Sequence, residues 1–196
     1  MIAARFRPWH PAGAPILRAY ATRFCDVDIS LVCEPSSSLL PRIDRGELDL
    51  ALVTRHTASR AVPDQGVFLF EEHLVWAASE QHEAWRRDPL PLALHELGSN
   101  LRTEVLSAVS AMGREYRVVY GSPNMRGQIA TTESGLAVAV MSRCCVPPSL
   151  KILDSRQGMP ALPKMEVAFV RSKDSARSLA VDMLYKEALH ALQQER

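Results

Sequence analysis

The chain has 196 residues, 47% hydrophobic and 23% charged, with 23 Lys and Arg against 22 Asp and Glu. That composition belongs to a folded globular protein of one domain or two small lobes, and it excludes disorder. The formal net charge of +1 removes any general electrostatic grip on nucleic acid or an anionic membrane, and no apolar run approaches the roughly 20 residues of a spanning helix. The opening Met1–Phe6 is too short, and too soon followed by Pro8 and Pro11, to be a secretory signal. A cytoplasmic protein without membrane contact is expected.

Ile16, Leu17, Tyr20, Ala21 and Phe24 make one stripe of a helix. Val27, Ile29, Leu31 and Cys33 then alternate as a half-buried strand. Glu34-Pro35-Ser36-Ser37-Ser38 ends it and offers a serine N-cap to a helix through Leu39, Leu40 and Ile43, with Pro41 expected in the first turn. After Gly46, Leu48–Val53 is a buried strand, so strand, helix and strand form a βαβ unit with parallel strands. A polar stretch, 54–66, interrupts the rhythm. Val67–Phe70 and His73–Ala78 read as two strands, or one kinked at Glu71-Glu72, and Gln81–Pro91 as loop or short helix.

Gly98-Ser99-Asn100 precedes a helix carrying Val105, Leu106, Val109 and Met112 and stopped by Gly113. Tyr116–Tyr120 is a strand, and Ser122-Pro123 places an N-cap serine before a proline at the first helical position. That helix runs to Gly135, Leu136–Met141 is a buried strand, and Lys164–Val170 follows the Pro147-Pro148 corner as another. A closing amphipathic helix sets Leu179, Met183, Ala188 and Leu192 on its inner stripe. Two α/β patterns meet near Glu72, and the last strand and helix return to the first. Lobe I is expected over residues 1–71 and 162–196, and lobe II over 72–161.

The four cysteines, Cys25, Cys33, Cys144 and Cys145, lack the C-x-x-C spacing of a zinc or redox motif. Buried, inert thiols are expected; the functional alternative is redox sensing by the Cys144-Cys145 neighbours. Nucleophile-elbow, P-loop, dinucleotide and H-E-x-x-H patterns are absent, and the six histidines lack ligand spacing. No catalytic residue, metal or cofactor is therefore expected.

Helix starts carry more chemistry. Ser36 and Ser37, Ser99 and Asn100, and Ser122 and Asn124 each open a helix after a strand or turn. Free N–H groups and the positive end of the helix dipole favour a carboxylate or phosphate there, and in open α/β sheets such starts crowd at the carboxyl edge of the strands. Taken singly, a serine is ordinarily only a cap; three starts facing one cleft would make a site. Arg102 could add charge recognition beside Ser99.

The run Ile16–Ile29, then Glu34–Leu40, Gly46-Glu47-Leu48-Asp49-Leu50-Ala51-Leu52-Val53 and Glu133–Met141 together resemble the effector-binding domain of LysR-type transcriptional regulators, over nearly the whole chain and in order. The resemblance implies an α/β fold like the type 2 periplasmic binding proteins: two Rossmann-like lobes, two crossing strands and a small-molecule effector in the cleft. It implies a homodimer built on the helices Ile16–Phe24 and Pro123–Ser134. It places Ser36, Ser37, Ser99, Asn100 and Ser122–Asn124 along that cleft.

The chain also departs from the family. The winged helix-turn-helix and linker helix are missing, so DNA would be reached only through a domain absent here. Only Met1–Ala4 is available for the first strand, Ala137 stands where glycine is usual, and Ser142 where proline is usual. A fragment or truncated relative is expected, with a less stable lobe I and a site lacking one wall. The function read from the sequence is sensing of a small polar or anionic effector. The alternatives are a stand-alone solute-binding protein of the same fold and an enzyme using His73 or His95-Glu96.

Overall fold

Two five-stranded mixed sheets with helices on their faces form the fold, in a computed structural model that describes residues 2–5, 13–32, 34–56 and 66–194. The chain divides into two compact units, Met1–Glu71 with Met165–Arg196, and Glu72–Lys164.

In unit 1 the elements are β1 (Ile2–Arg5), α1 (Gly13–Arg23), β2 (Ile29–Leu31), α2 (Ser36–Asp44), β3 (Leu50–His56) and β4 (Val67–Glu72), with the later β10 (Met165–Arg171) and α5 (Leu179–Gln194). The sheet order is β2-β1-β3-β10-β4. The strands flanking α2 are parallel as expected but not adjacent: β1 lies between them, with Ile2 opposite Ile29 and Ala4 opposite Leu50. β10 runs antiparallel to β3, from Met165 opposite His56 to Arg171 opposite Leu50.

Side-chain alternation then sorts the core into two layers. Leu50, Leu52, Val167 and Phe169 face Tyr20 of α1 and Leu184, Ala188 and Leu192 of α5. Ala51, Val53, Ala168 and Val170 face Leu39 and Ile43 of α2. The Tyr20 hydroxyl donates to Ala180 O at 2.8 Å, tying α1 to α5, and burial pushes its pKa up. At the sheet end Arg171 pairs with Asp182 at 3.0 Å, and hydrogen bonds from Lys186 and Arg171 hold the Asp182 carboxyl below its ordinary range.

Several sequence expectations shift by a turn or a face. β2 is only three residues long, and Leu31 is 54% exposed where alternation put it inside, because β2 is a sheet edge. Cys33 lies outside the described residues. α2 begins at Ser36 with Pro35 in the cap position and no capping side chain, and Pro41 is its sixth residue, not in its first turn. The i−4 carbonyl that Pro41 cannot serve belongs to Ser37, and both residues are exposed, so water can take that bond. The inner stripe of α5 is Val181, Leu184, Ala188 and Leu192; Leu179 is 72% exposed at the helix start and Met183 is half-buried.

Unit 2 holds β5 (Leu74–Ala78), β6 (Leu90–Leu94), α3 (Asn100–Ala111), β7 (Tyr116–Gly121), α4 (Met125–Glu133), β8 (Val138–Ser142) and β9 (Lys151–Leu153), in sheet order β7-β6-β8-β5-β9. β4 and β5 are separate strands joined through His73, not one kinked strand. β6 is buried at every position, although Pro91 argues against a central strand. The pairing explains the tolerance: β8 engages only Leu92 and Ala93, so the N–H that Pro91 lacks has no β8 partner to serve. β9, which has no sequence signal, pairs antiparallel with β5.

Leu90, Leu92, Leu94, Val138 and Val140 pack with Val105 and Val109 of α3. Ala93, Ala139 and Met141 pack with Met125 and Ile129 of α4. The two helices therefore cover opposite faces. The cysteines contradict the expectation of burial: Cys25 and Cys144 are exposed and Cys145 is half-buried. No helix among the described residues is long and apolar enough to cross a membrane.

Candidate functional site

The reversal of direction in unit 2 makes a candidate site. β6 leads through α3 to β7 on one side, and β7 returns through α4 to β8 on the other side of β6. At such a switch point adjacent parallel strands send their helices to opposite faces, leaving a crevice beyond the strand ends. Leu94 is in register with Gly121, and Ser122 N donates to Leu94 O at 3.0 Å, so β6 and β7 finish side by side.

The entry to α3 is a tight turn. Ser99 N donates to Glu96 O at 3.3 Å, and Gly98 has φ +83°, where a side chain would be strained. Ser99 occupies the N-cap position in extended conformation, but its hydroxyl makes no cap bond. The first-turn amides of α3 thus have no side-chain acceptor and remain positive. Asn100 is the exposed first helical residue.

Arg102 is half-buried. Its Nη1 donates to His95 O at 2.9 Å, and a Cβ built on Gly121 would lie 3.2 Å from that same nitrogen. The guanidinium therefore spans from the start of α3 to the end of β7. A guanidinium has five N–H donors, and this geometry leaves others for an anion.

The start of α4 differs from expectation. Asn124, not Ser122, is the N-cap, and Pro123 lies outside the helix. Asn124 Oδ1 accepts from Arg126 N at 3.0 Å and Gly127 N at 3.4 Å, while Ser122 Oγ accepts from Asn124 N at 3.2 Å. Two orphan amides are already satisfied, so α4 offers an anion less than α3 does. Asn124→Ala should lower stability by about 1 kcal/mol, read from chemical denaturation with the glycine variant as the milder comparison; an unchanged midpoint would mean water replaces the cap without loss.

Beneath this turn lies a residue that sequence reasoning missed. Gln128 is fully buried, its Nε2 donates to Ser122 O at 2.9 Å, and its Oε1 has no partner among the described residues. Its only sequence signal is a polar residue on the inner stripe of α4, between Met125 and Thr132.

In unit 1, Ser36 Oγ accepts from Thr54 N at 2.9 Å and lies 3.2 Å from Thr54 Oγ1, so it anchors α2 to β3. Ser37 is exposed beside it. Inside unit 2 the structure thus brings together Arg102, the α3 start and the β7 end; Ser36 and Ser37 belong to the other unit. Among the described residues no group of three or more His, Cys, Asp or Glu is placed to hold a metal ion.

This architecture has known counterparts. The family model for the LysR substrate binding domain matches residues 13–193. The chain belongs to that family. Among curated proteins it is 32% identical over 156 residues to the HTH-type transcriptional regulator DgdR of Burkholderia cepacia, covering 78% of this chain and 51% of that protein. It is 22% identical over 164 residues to PecT of Dickeya dadantii (strain 3937), covering 84% of this chain and 51% of that protein. The chain spans about half the length of these two relatives.

Solved structures share the fold at low identity. The regulatory domain of Synechocystis PCC6803 CcmR in complex with 2-PG superposes with TM-score 0.70 at 16% identity, covering 98% of this chain and 96% of that one. The regulatory domain of the HypT M206Q mutant from Salmonella typhimurium does so with TM-score 0.74 at 12% identity, covering 98% and 97%. The two-lobe α/β fold of LysR effector domains, like that of type 2 periplasmic binding proteins, is the fold of this chain.

Proposed function

We propose that this chain is the sensing module of a LysR-type transcriptional regulator, and that its effector is a small polar or anionic molecule held at the start of α3. The observation that carries the reading is the uncapped first turn of α3 with the Arg102 guanidinium beside it. The partial positive charge of the aligned amides and the full charge of Arg102, a residue of the same first turn, together favour a carboxylate or phosphate. Ser99 and Asn100 supply neutral polar contacts, and Ser122 and Asn124 shape the neighbouring turn. Ser36, already tied to Thr54, positions α2.

Binding shifts the population between conformations of the domain, and that shift is the signal. The intact protein reads DNA through an N-terminal winged helix-turn-helix, and copies pair through α1 and α4 as a homodimer. The exposed β7 edge, with Tyr116, Val118 and Val119 at the surface, favours self-association. The role is sensing, with no catalytic step, in the cytoplasm where DNA is reached.

Thermal unfolding against a panel of small carboxylates, phosphates and aromatic acids tests this. A ligand at about a hundred times its dissociation constant adds roughly 2.7 kcal/mol, and the shift should shrink in Ser99→Ala. A ligand that stabilises wild type and Ser99→Ala equally would refute the placement at α3. Turnover of any panel compound would refute a purely sensing role.

A further inference from the structure

We infer that Cys144 and Cys145 form a second ligand site, a preorganised dithiol that chelates trivalent arsenic compounds. The site is separate from the α3 start and does not depend on the effector reading.

Both residues are thiols in the short 3-10 turn Arg143–Cys145 that follows β8. In such a turn consecutive side chains diverge by about 120°, so adjacent cysteines ordinarily point apart. Here the two Sγ atoms converge to 3.8 Å, with Cys144 exposed and Cys145 half-buried.

The frame around them is fixed at both ends. Upstream, Ser142 is in register with Leu74 of β5 and Arg143 N donates to His73 O at 2.8 Å. Downstream, Val146 is extended before Pro147-Pro148, and Leu150 N closes onto Pro147 O at 3.0 Å. The thiols are held together before any ligand arrives, which lowers the ordering cost of binding.

Their separation selects the chemistry. Pyramidal trivalent arsenic, bonded to two thiolates at about 2.3 Å with an angle of roughly 95–100° between them, needs sulfurs about 3.4–3.5 Å apart, a closure of only about 0.3–0.4 Å. A direct disulfide needs about 2.05 Å, so the pair would have to close by roughly 1.75 Å inside a small ring. One bridging atom fits with the least movement. No third His, Cys, Asp or Glu among the described residues completes a metal cluster, so a four-ligand cation such as zinc is a poor match. Trivalent arsenic uses two sulfurs and keeps its own third substituent, and soft thiolates suit such a centre.

With phenylarsine oxide as the probe, the atoms balance simply. Two As–S bonds form, the arsenic–oxygen bond breaks, and the oxygen leaves with both S–H protons as one water. Arsenic stays trivalent and no oxidant is needed.

Intact mass spectrometry of the folded chain, treated with one equivalent of phenylarsine oxide, reads the result. One phenylarsenic unit per chain should be retained, released by a 1,2-dithiol but not by the same concentration of a monothiol. Cys144→Ser and Cys145→Ser should each abolish dithiol-type retention, while a Cys25→Ser, Cys33→Ser double variant keeps it. Melting curves of every variant establish that they are folded. Failure to retain the adduct, retention in either single variant, or retention only after denaturation would each overturn the inference.

Discussion

Replacing Trp76 by alanine is expected to destabilise unit 2 by about 3–5 kcal/mol. Trp76 is 2% exposed at the middle of β5, where β8 and β9 flank it with Val140 and Leu153 in register. Among the described residues it heads the fully buried side chains by volume, and it packs in the cluster of Leu90, Leu92, Leu94, Val105 and Val109. Truncation leaves a cavity that two neighbouring strands cannot close without losing their pairing. It also deprives the Pro160 carbonyl of the 2.8 Å bond from Nε1, a second loss of the kind that unsatisfied acceptors incur.

The loss should be read by hydrogen exchange at the amides of β5, β8 and β9 as well as by denaturant midpoint, because a chain with two units need not unfold in one step. Trp76→Phe keeps most of the volume and should lose markedly less. A loss below about 1 kcal/mol for the alanine variant would contradict this packing.

Arg102→Ala should weaken the affinity for an anionic effector by about 10- to 150-fold, the equivalent of roughly 1.5–3 kcal/mol for a hydrogen bond to a charged group. Its own stability cost should stay within about 1 kcal/mol, since the bond lost is that to His95 O on a half-buried side chain. Arg102→Lys keeps the charge but not the fork, and should recover only part of the affinity. Isothermal titration with the ligand found in the panel measures all three proteins. Equal affinity for wild type and Arg102→Ala would remove Arg102 from the site.

Much of this arrangement is legible in one dimension. The stretches Gly46–Val53 and Glu133–Met141 point to the family because they join the end of a helix, a turn and a buried strand in a fixed order. β3 and β8 lie where those patterns put them, with ends displaced by one to three residues. α3 is equally readable, with Val105 and Val109 inside and Gly113 at φ +67° closing it, because helix period and terminal glycine are local signals.

What failed to show in the sequence depends on neighbours. Pro91 hides β6 until the register shows that its missing N–H faces no β8 residue. Ser122-Pro123 matches a capping pattern as well as Asn124 does; Ser122 N is instead drawn to Leu94 O, and the helix starts two residues later. Gln128 has meaning only once Ser122 O lies over it.

The family, the alternation of strands and helices, and the neighbourhood of each helix start are readable from the residues alone. Each of these rests on interactions within a few residues: periodicity, turn chemistry and cap preference. The folded arrangement then sets which of the helix starts stays uncapped. Asn124 closes α4, Thr54 ties down Ser36, and Arg102 leans from α3 toward Gly121. It likewise decided that two neighbouring cysteines face each other. A hydrogen bond or a thiol pair is set by where other elements place its partner, and no spacing along the chain encodes that distance.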